Sequence, residues 1–104
     1  MIKAILKDFP RIDILVNNAG IIDDTLLVRM KDDQWTNVIN TNLNGTFYCT
    51  RELVRGMMTN RWGRIINIAS IWGREYGGNI SYMSAKAALI AASKHSAISL
   101  VFLF

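Results

Sequence analysis

The 104-residue sequence predicts an α/β fold built on a parallel sheet, and three observations carry that expectation. Two short apolar runs, Ile12 to Val16 and RIINIA at residues 64–69, have the length and β-branched content of buried strands. A long stretch with an apolar period near 3.6 residues separates them, and a second helical stretch rich in small residues follows. Strand, long helix, strand, helix is a β-α-β crossover with an extra helix, which makes the strands parallel and sets their C-terminal ends along one edge. That edge is where α/β sheets bind ligands.

The elements follow in order. Residues 1–8 read as the last turns of a helix that Pro10 breaks. The first strand ends at NNAG, residues 17–20. From Asp32 to about Met58, the apolar positions Trp35, Val38, Ile39, Leu43, Phe47, Leu53, Val54 and Met57 follow a helical period. Asp32 and Asp33 supply negative charge at its start, where the helix dipole favours it. NRWG, residues 60–63, stops the helix, and RIINIA forms the second strand, closed by Ser70. IWGREYGGN is then a glycine-bearing loop, with a further helix beginning near Asn79 or Ser81. The ending SAISLVFLF is apolar and carries neither cap nor turn, so the expected sheet has two strands.

Composition bounds the function. A hydrophobic fraction of 51% and a mean hydropathy of +0.20 describe one globular unit, and no repeat or low-complexity linker divides residues 1–104. The net charge of +4 is mildly basic, but Lys and Arg are scattered, with no long basic block and no zinc-ligand spacing. Neither a nucleic-acid site nor a metal site is expected. Arg51, Arg55, Arg61 and Arg64 gather near the end of the long helix, where positive charge complements the dipole. The single cysteine, Cys49, falls in a helical pattern and is expected to be buried and inert in a reducing compartment. MIKAILKDFP lacks the pattern of a secretory signal, and no apolar run approaches the roughly 20 residues of a membrane span. A soluble, cytoplasmic protein is the expectation.

The chemistry centres on SYMSAK, residues 81–86. On a helix, Tyr82 and Lys86 lie four apart on one face. A phenol alone titrates near ~10, and a cation a few ångströms away favours the phenolate, bringing proton donation towards neutral pH. The plainer alternative is an amphipathic helix with a solvated lysine. Asn42, inside TNLNGTF, is out of place mid-helix, because asparagine competes for backbone hydrogen bonds. A local distortion that frees a carbonyl for water would explain it; the alternative is an ordinary polar position on the long helix.

NNAG after a strand, Asn42, Ser70 in NIAS and YMSAK together resemble the short-chain dehydrogenase/reductase family. Ser70 precedes Tyr82 by 12 residues and Lys86 follows it by four, as in that family's Asn, Ser, Tyr, Lys tetrad. GIIDDTLLVRMKDDQW and MMTNRWGRIINIAS resemble the 3-oxoacyl-[acyl-carrier-protein] reductases, with acetoacetyl-CoA reductases and some sugar dehydrogenases similar too. The resemblance covers residues from about 9 to 95.

That resemblance implies a Rossmann-type doubly wound parallel sheet, truncated at both ends, and reduction of a carbonyl with NADP or NAD. Asn42, Ser70, Tyr82 and Lys86 would be catalytic: Tyr82 donating a proton, Lys86 favouring the phenolate and holding the nicotinamide ribose, Ser70 polarising the carbonyl, and Asn42 holding a water. Asn18, Ala19 and Gly20 would line the cofactor together with Tyr82 and Lys86, Asn17 would brace the sheet, and Ile68 and Ala69 would line the pocket. The implied partners are a small-molecule or carrier-protein-bound acyl substrate, with the Arg61 region attracting an acidic carrier. A homodimer or homotetramer is implied for an intact relative, through the long helix and the small residues of the last one. Neither nucleic acid nor membrane is implied.

The chain also departs from the pattern. It lacks the family's opening strand and T-G-x-x-x-G-x-G turn, the strands that select NAD or NADP, and the later substrate-binding loop. A central slice with two strands and open edges is expected to be unstable or to aggregate, and to be inactive by itself. The alternatives are a sugar or polyol dehydrogenase, an acetoacetyl-CoA reductase, and a non-catalytic truncated gene product.

Overall fold

A computed structural model of the chain describes residues 1–21, 23, 25–70, 80–94 and 99–103. Helix α1 (Ile2–Asp8) precedes strand β1 (Ile14–Asn17), and a 3-10 turn (Leu27–Arg29) leads to α2 (Asp32–Ile39). A π-helical segment (Asn40–Asn44) joins α2 to α3 (Gly45–Thr59); then come β2 (Arg64–Ser70), α4 (Ile80–Ser93) and β3 (Ser99–Leu103). The fold is the expected α/β arrangement. The loop IWGREYGGN lies outside the described residues.

The sheet is parallel in the order β1-β2-β3, with Asn17 opposite Asn67 and Ser70 opposite Leu103. The third strand corrects the expectation of two. The apolar tail, which had no element assigned to it, takes up the outer edge of β2, whose backbone groups need partners.

Helix α3 packs on the sheet through Leu53 and Met57, which enclose Ile65 of β2. Ile2 and Leu6 of α1, with Ile12, Leu15 and Val54, complete this core. Along β2 the residues Ile65, Asn67 and Ala69 are buried, while Ile66 and Ile68 between them are half-buried. On β1, Ile14 and Val16 are about half exposed. The strands were expected to be buried throughout. Side chains alternate between sheet faces, and the described helices cover the face that carries Leu15, Asn17 and Ile65. Phe47, counted among the apolar positions of the long helix, is likewise 55% exposed; its ring lies 5.7 Å from that of Tyr48 and takes the Arg51 guanidinium 5.1 Å from its centroid. Cys49 is half-buried rather than buried.

NRWG stops α3 by a defined hydrogen-bond pattern. Arg61 adopts φ 55° just beyond the C-cap Asn60, its N–H donating to Met58 O and the Trp62 N–H to Met57 O, each at 3.1 Å. This is the left-handed helix ending that usually carries glycine. Gly63 then passes against Met57, where a Cβ would stand 2.5 Å from the Met57 Cγ. The Arg64 N–H donates to Asp13 O at 2.9 Å, aligning the start of β2 with β1.

Candidate active site

The π-helical segment begins with the side chain of Asn42. Its Nδ2 donates to Val38 O at 2.8 Å, the carbonyl that the Asn42 N–H would take in a regular α-helix. It donates also to Ile21 O at 2.9 Å, in the loop that follows β1. Side-chain competition for Val38 O is the physical cause of the distortion expected at this position. Two carbonyl acceptors fix which end of the amide is nitrogen. Asn42 Oδ1 is therefore left buried, without a hydrogen-bond partner among the described residues.

Gly20, at the C-terminal end of β1, meets this oxygen. A Cβ there would lie 2.6 Å from Asn42 Oδ1 and 3.7 Å from Lys86 Nζ. Lys86 comes from α4 and is only 6% exposed. Its ammonium donates to Ile68 O at 3.0 Å and stands 5.5 Å from the centroid of the Tyr82 ring. Burial disfavours the charged amine and lowers its pKa from 10.5. Tyr82, one turn earlier on the same helix, is half-buried.

Ser70 closes β2, buried, two residues beyond the Ile68 carbonyl that holds Lys86. Because β1 and β2 are parallel, Gly20 and Ser70 follow strand ends on one edge of the sheet. Gly20, Asn42 and Lys86 thus meet, Tyr82 adjoins Lys86, and Ser70 is linked to them through the strand that carries Ile68. Asn18, Ala19 and Gly20 are exposed along the same edge. Asn18 and Ala19 also line a cavity of about 380 Å³ between α1, β1 and α3, on whose wall lie Thr46 and Cys49. Ala69 is buried, and Ile68 contributes its carbonyl.

This arrangement suits a nicotinamide cofactor. Asn18, Ala19 and Gly20 are exposed along the sheet edge, and the buried Lys86 amine lies near Gly20 with the Tyr82 phenol ring beside that amine. Lys86 presents three donors, of which one is used on Ile68 O among the described residues.

A second polar cluster lies beneath. Asn17 Nδ2 donates to Asn67 Oδ1 at 2.9 Å and to Thr50 Oγ1 at 3.3 Å, bridging β1 to β2 and α3. Asn67 Nδ2 donates to Ser93 Oγ at 3.0 Å on α4. Thr50 and Asn67 were not singled out by sequence reasoning, and Ser93 counted there only as one of the small residues of the last helix. One signal was present: Asn67 is a polar residue inside the apolar run RIINIA, three residues before Ser70.

With fold and site together, the chain belongs to the short-chain dehydrogenase family, whose model matches residues 1–100. This is a family of oxidoreductases that use nicotinamide cofactors. The chain is 47% identical over 95 residues to the 3-oxoacyl-[acyl-carrier-protein] reductase FabG of Escherichia coli, an alignment covering 90% of this chain and 39% of that protein. It is 48% identical over 95 residues to a 3-oxoacyl-[acyl-carrier-protein] reductase of Synechocystis sp., covering 90% and 38%. With FabG of Vibrio cholerae it shares 45% identity over 98 residues, covering 93% and 40%. The chain therefore spans about two-fifths of the length of the curated relatives it matches.

Proposed function

We propose that this chain is part of one domain of an NADP- or NAD-dependent reductase that converts a 3-oxoacyl thioester to the 3-hydroxyacyl thioester in fatty-acid synthesis. The observation that carries this reading is the approach of Asn42 and Lys86 to Gly20, with the Tyr82 ring 5.5 Å from the Lys86 amine. A nicotinamide held along the Asn18, Ala19 and Gly20 edge would supply hydride to the carbonyl carbon. Tyr82 donates the proton that the carbonyl oxygen then takes, and the neighbouring Lys86 cation stabilises the phenolate left behind. Ser70 polarises the carbonyl, and the Asn42 segment holds a water on the proton path. Asn18, Ala19 and Gly20 form the cofactor edge.

The carrier-protein partner is supported by a basic, exposed patch at the end of α3. Arg61 holds a left-handed backbone there, and Arg64 lies 4.9 Å from the centroid of the Trp62 ring. An acidic carrier would be drawn to it by charge complementarity. A homodimer or homotetramer of the complete protein and a cytoplasmic setting belong to the same reading. Among the described residues no helix is long and apolar enough to cross a membrane.

The isolated 104-residue chain is inactive in this proposal, so the test exchanges residues 9–95 for the matching segment of the Escherichia coli relative. With NADPH and a 3-oxoacyl thioester the exchanged protein is expected to reduce substrate. Tyr82→Phe and Lys86→Met are each expected to lower kcat by about 100-fold or more. Retention of full activity by either variant would rule the reading out.

A further inference from the structure

Helix α4 packs against α2, the π-helical segment and β2 through a face of low relief. Of its buried positions, Ser81, Ala85, Leu89 and Ser93 recur every fourth residue with Lys86 beside them, and only Leu89 is a large apolar side chain. Side-chain ridges seated in grooves normally fix a helix along its axis. A row of serine and alanine allows close approach but offers little resistance to sliding.

Two polar attachments hold α4 to β2 instead. Lys86 Nζ donates to Ile68 O at 3.0 Å, and two helical turns later Asn67 Nδ2 donates to Ser93 Oγ at 3.0 Å. The Ser93 hydroxyl spends its one hydrogen on Leu89 O at 2.7 Å, so it can only accept from Asn67. That turns Asn67 Oδ1 towards Asn17 Nδ2, which ties the same group to β1 and, through Thr50, to α3. Asn67 is 2% exposed and Ser93 4%.

Resting on the reductase reading of the tetrad, we infer that Asn67 and Ser93 are positioning residues. Their hydrogen bond sets the axial position of α4 on the sheet, and with it where Tyr82 and Lys86 stand relative to Ser70 and Asn42. A slip of one residue moves a helix by ~1.5 Å, enough to break a 3.0 Å contact such as Lys86 to Ile68 O. Misplacement of reacting groups by about 1 Å can lower a rate by about a hundredfold. Replacing Asn67 and Ser93 together orphans neither of the two, whereas Asn17 Nδ2 loses Asn67 Oδ1 and keeps only Thr50 Oγ1, so some stability is lost at Asn17 and kcat is read per folded protein.

The test uses the exchanged reductase with Asn67→Leu, Ser93→Ala and both together. The double variant is expected to stay folded, with kcat lower by about 10- to 100-fold and KM for NADPH within about threefold. The two single losses should not multiply, since the residues act as one unit. Independently of activity, labelling of the Lys86 amine by an amine-reactive reagent, read by mass spectrometry against Lys94, should rise severalfold in the double variant. It is read in the exchanged protein and in the 104-residue chain. A kcat within twofold of the unmutated protein, a fall that merely tracks the folded fraction, or unchanged Lys86 labelling would each overturn the inference. An inactive exchanged protein whose Lys86 still becomes accessible in the double variant counts against the reductase reading and in favour of the positioning pair.

Discussion

Gly20 stands so close to Asn42 that a Cβ on it would lie 2.6 Å from Asn42 Oδ1. The missing side chain is what lets Asn42 reach Ile21 O and Val38 O together, and so what allows the π-helical segment to form where it does. Gly20 has no left-handed φ, so the constraint is contact and not backbone conformation.

Gly20→Ala should therefore destabilise the fold by about 2 kcal/mol through overpacking. Urea unfolding measures this. The Gly20→Ala, Asn42→Ala double variant should lose less than the sum of the two single changes, because the clash is then gone. Additive losses would place the cost elsewhere.

Lys86 gives a pH signature. Its folded-state pKa lies below 10.5, so between that lowered value and 10.5 the unfolded chain binds more protons than the native one. Stability rises with pH across this window and is lost as pH falls back through it. Lys86→Met should flatten the rise and, below the window, leave stability unchanged or higher by up to about 1 kcal/mol. Unfolding curves over a pH series decide; a rise that survives the substitution belongs to another group.

The end of α3 should respond in opposite directions to two glycine changes. Arg61→Gly relieves a left-handed residue and should stabilise by about 1 kcal/mol, whereas Gly63→Ala meets the Met57 side chain and should cost about 2 kcal/mol. Thermal midpoints of the two variants read this directly.

Arg61→Glu addresses the carrier. In the exchanged reductase it should raise KM for a carrier-bound substrate by about tenfold while leaving that for a small thioester within twofold. Equal effects on both substrates, or none on either, would remove the carrier-docking role from this patch.

The edge of β1 carries a solubility prediction. Ile14 and Val16 expose apolar side chains on a strand that is paired on one side only among the described residues. Such edges recruit other chains. The isolated chain should self-associate with rising concentration, and Val16→Lys should shift that onset upwards, as light scattering would show.

Much of the fold was legible because its signals are local. A helical apolar period announced α2 and α3, two short β-branched runs announced β1 and β2, and Pro10 and NRWG marked the breaks. Asn42 was legible as a distortion because asparagine competes for backbone acceptors wherever it sits. Tyr82 and Lys86 were legible as a pair because helical spacing alone brings them to one face.

What tertiary structure decided is everything that depends on which surfaces meet. The apolar tail becomes β3 only by pairing with β2, and no local feature separates it from a frayed end. Ile14, Val16 and Phe47 looked like core from periodicity, yet burial depends on which face the helices cover. The contact of Gly20 with Asn42, and the tie from Asn67 to Ser93, join residues 22 and 26 apart in the chain. Short-range propensity has no term for such contacts; they exist because a parallel sheet brings its strand ends together and a helix of small residues lies close against them.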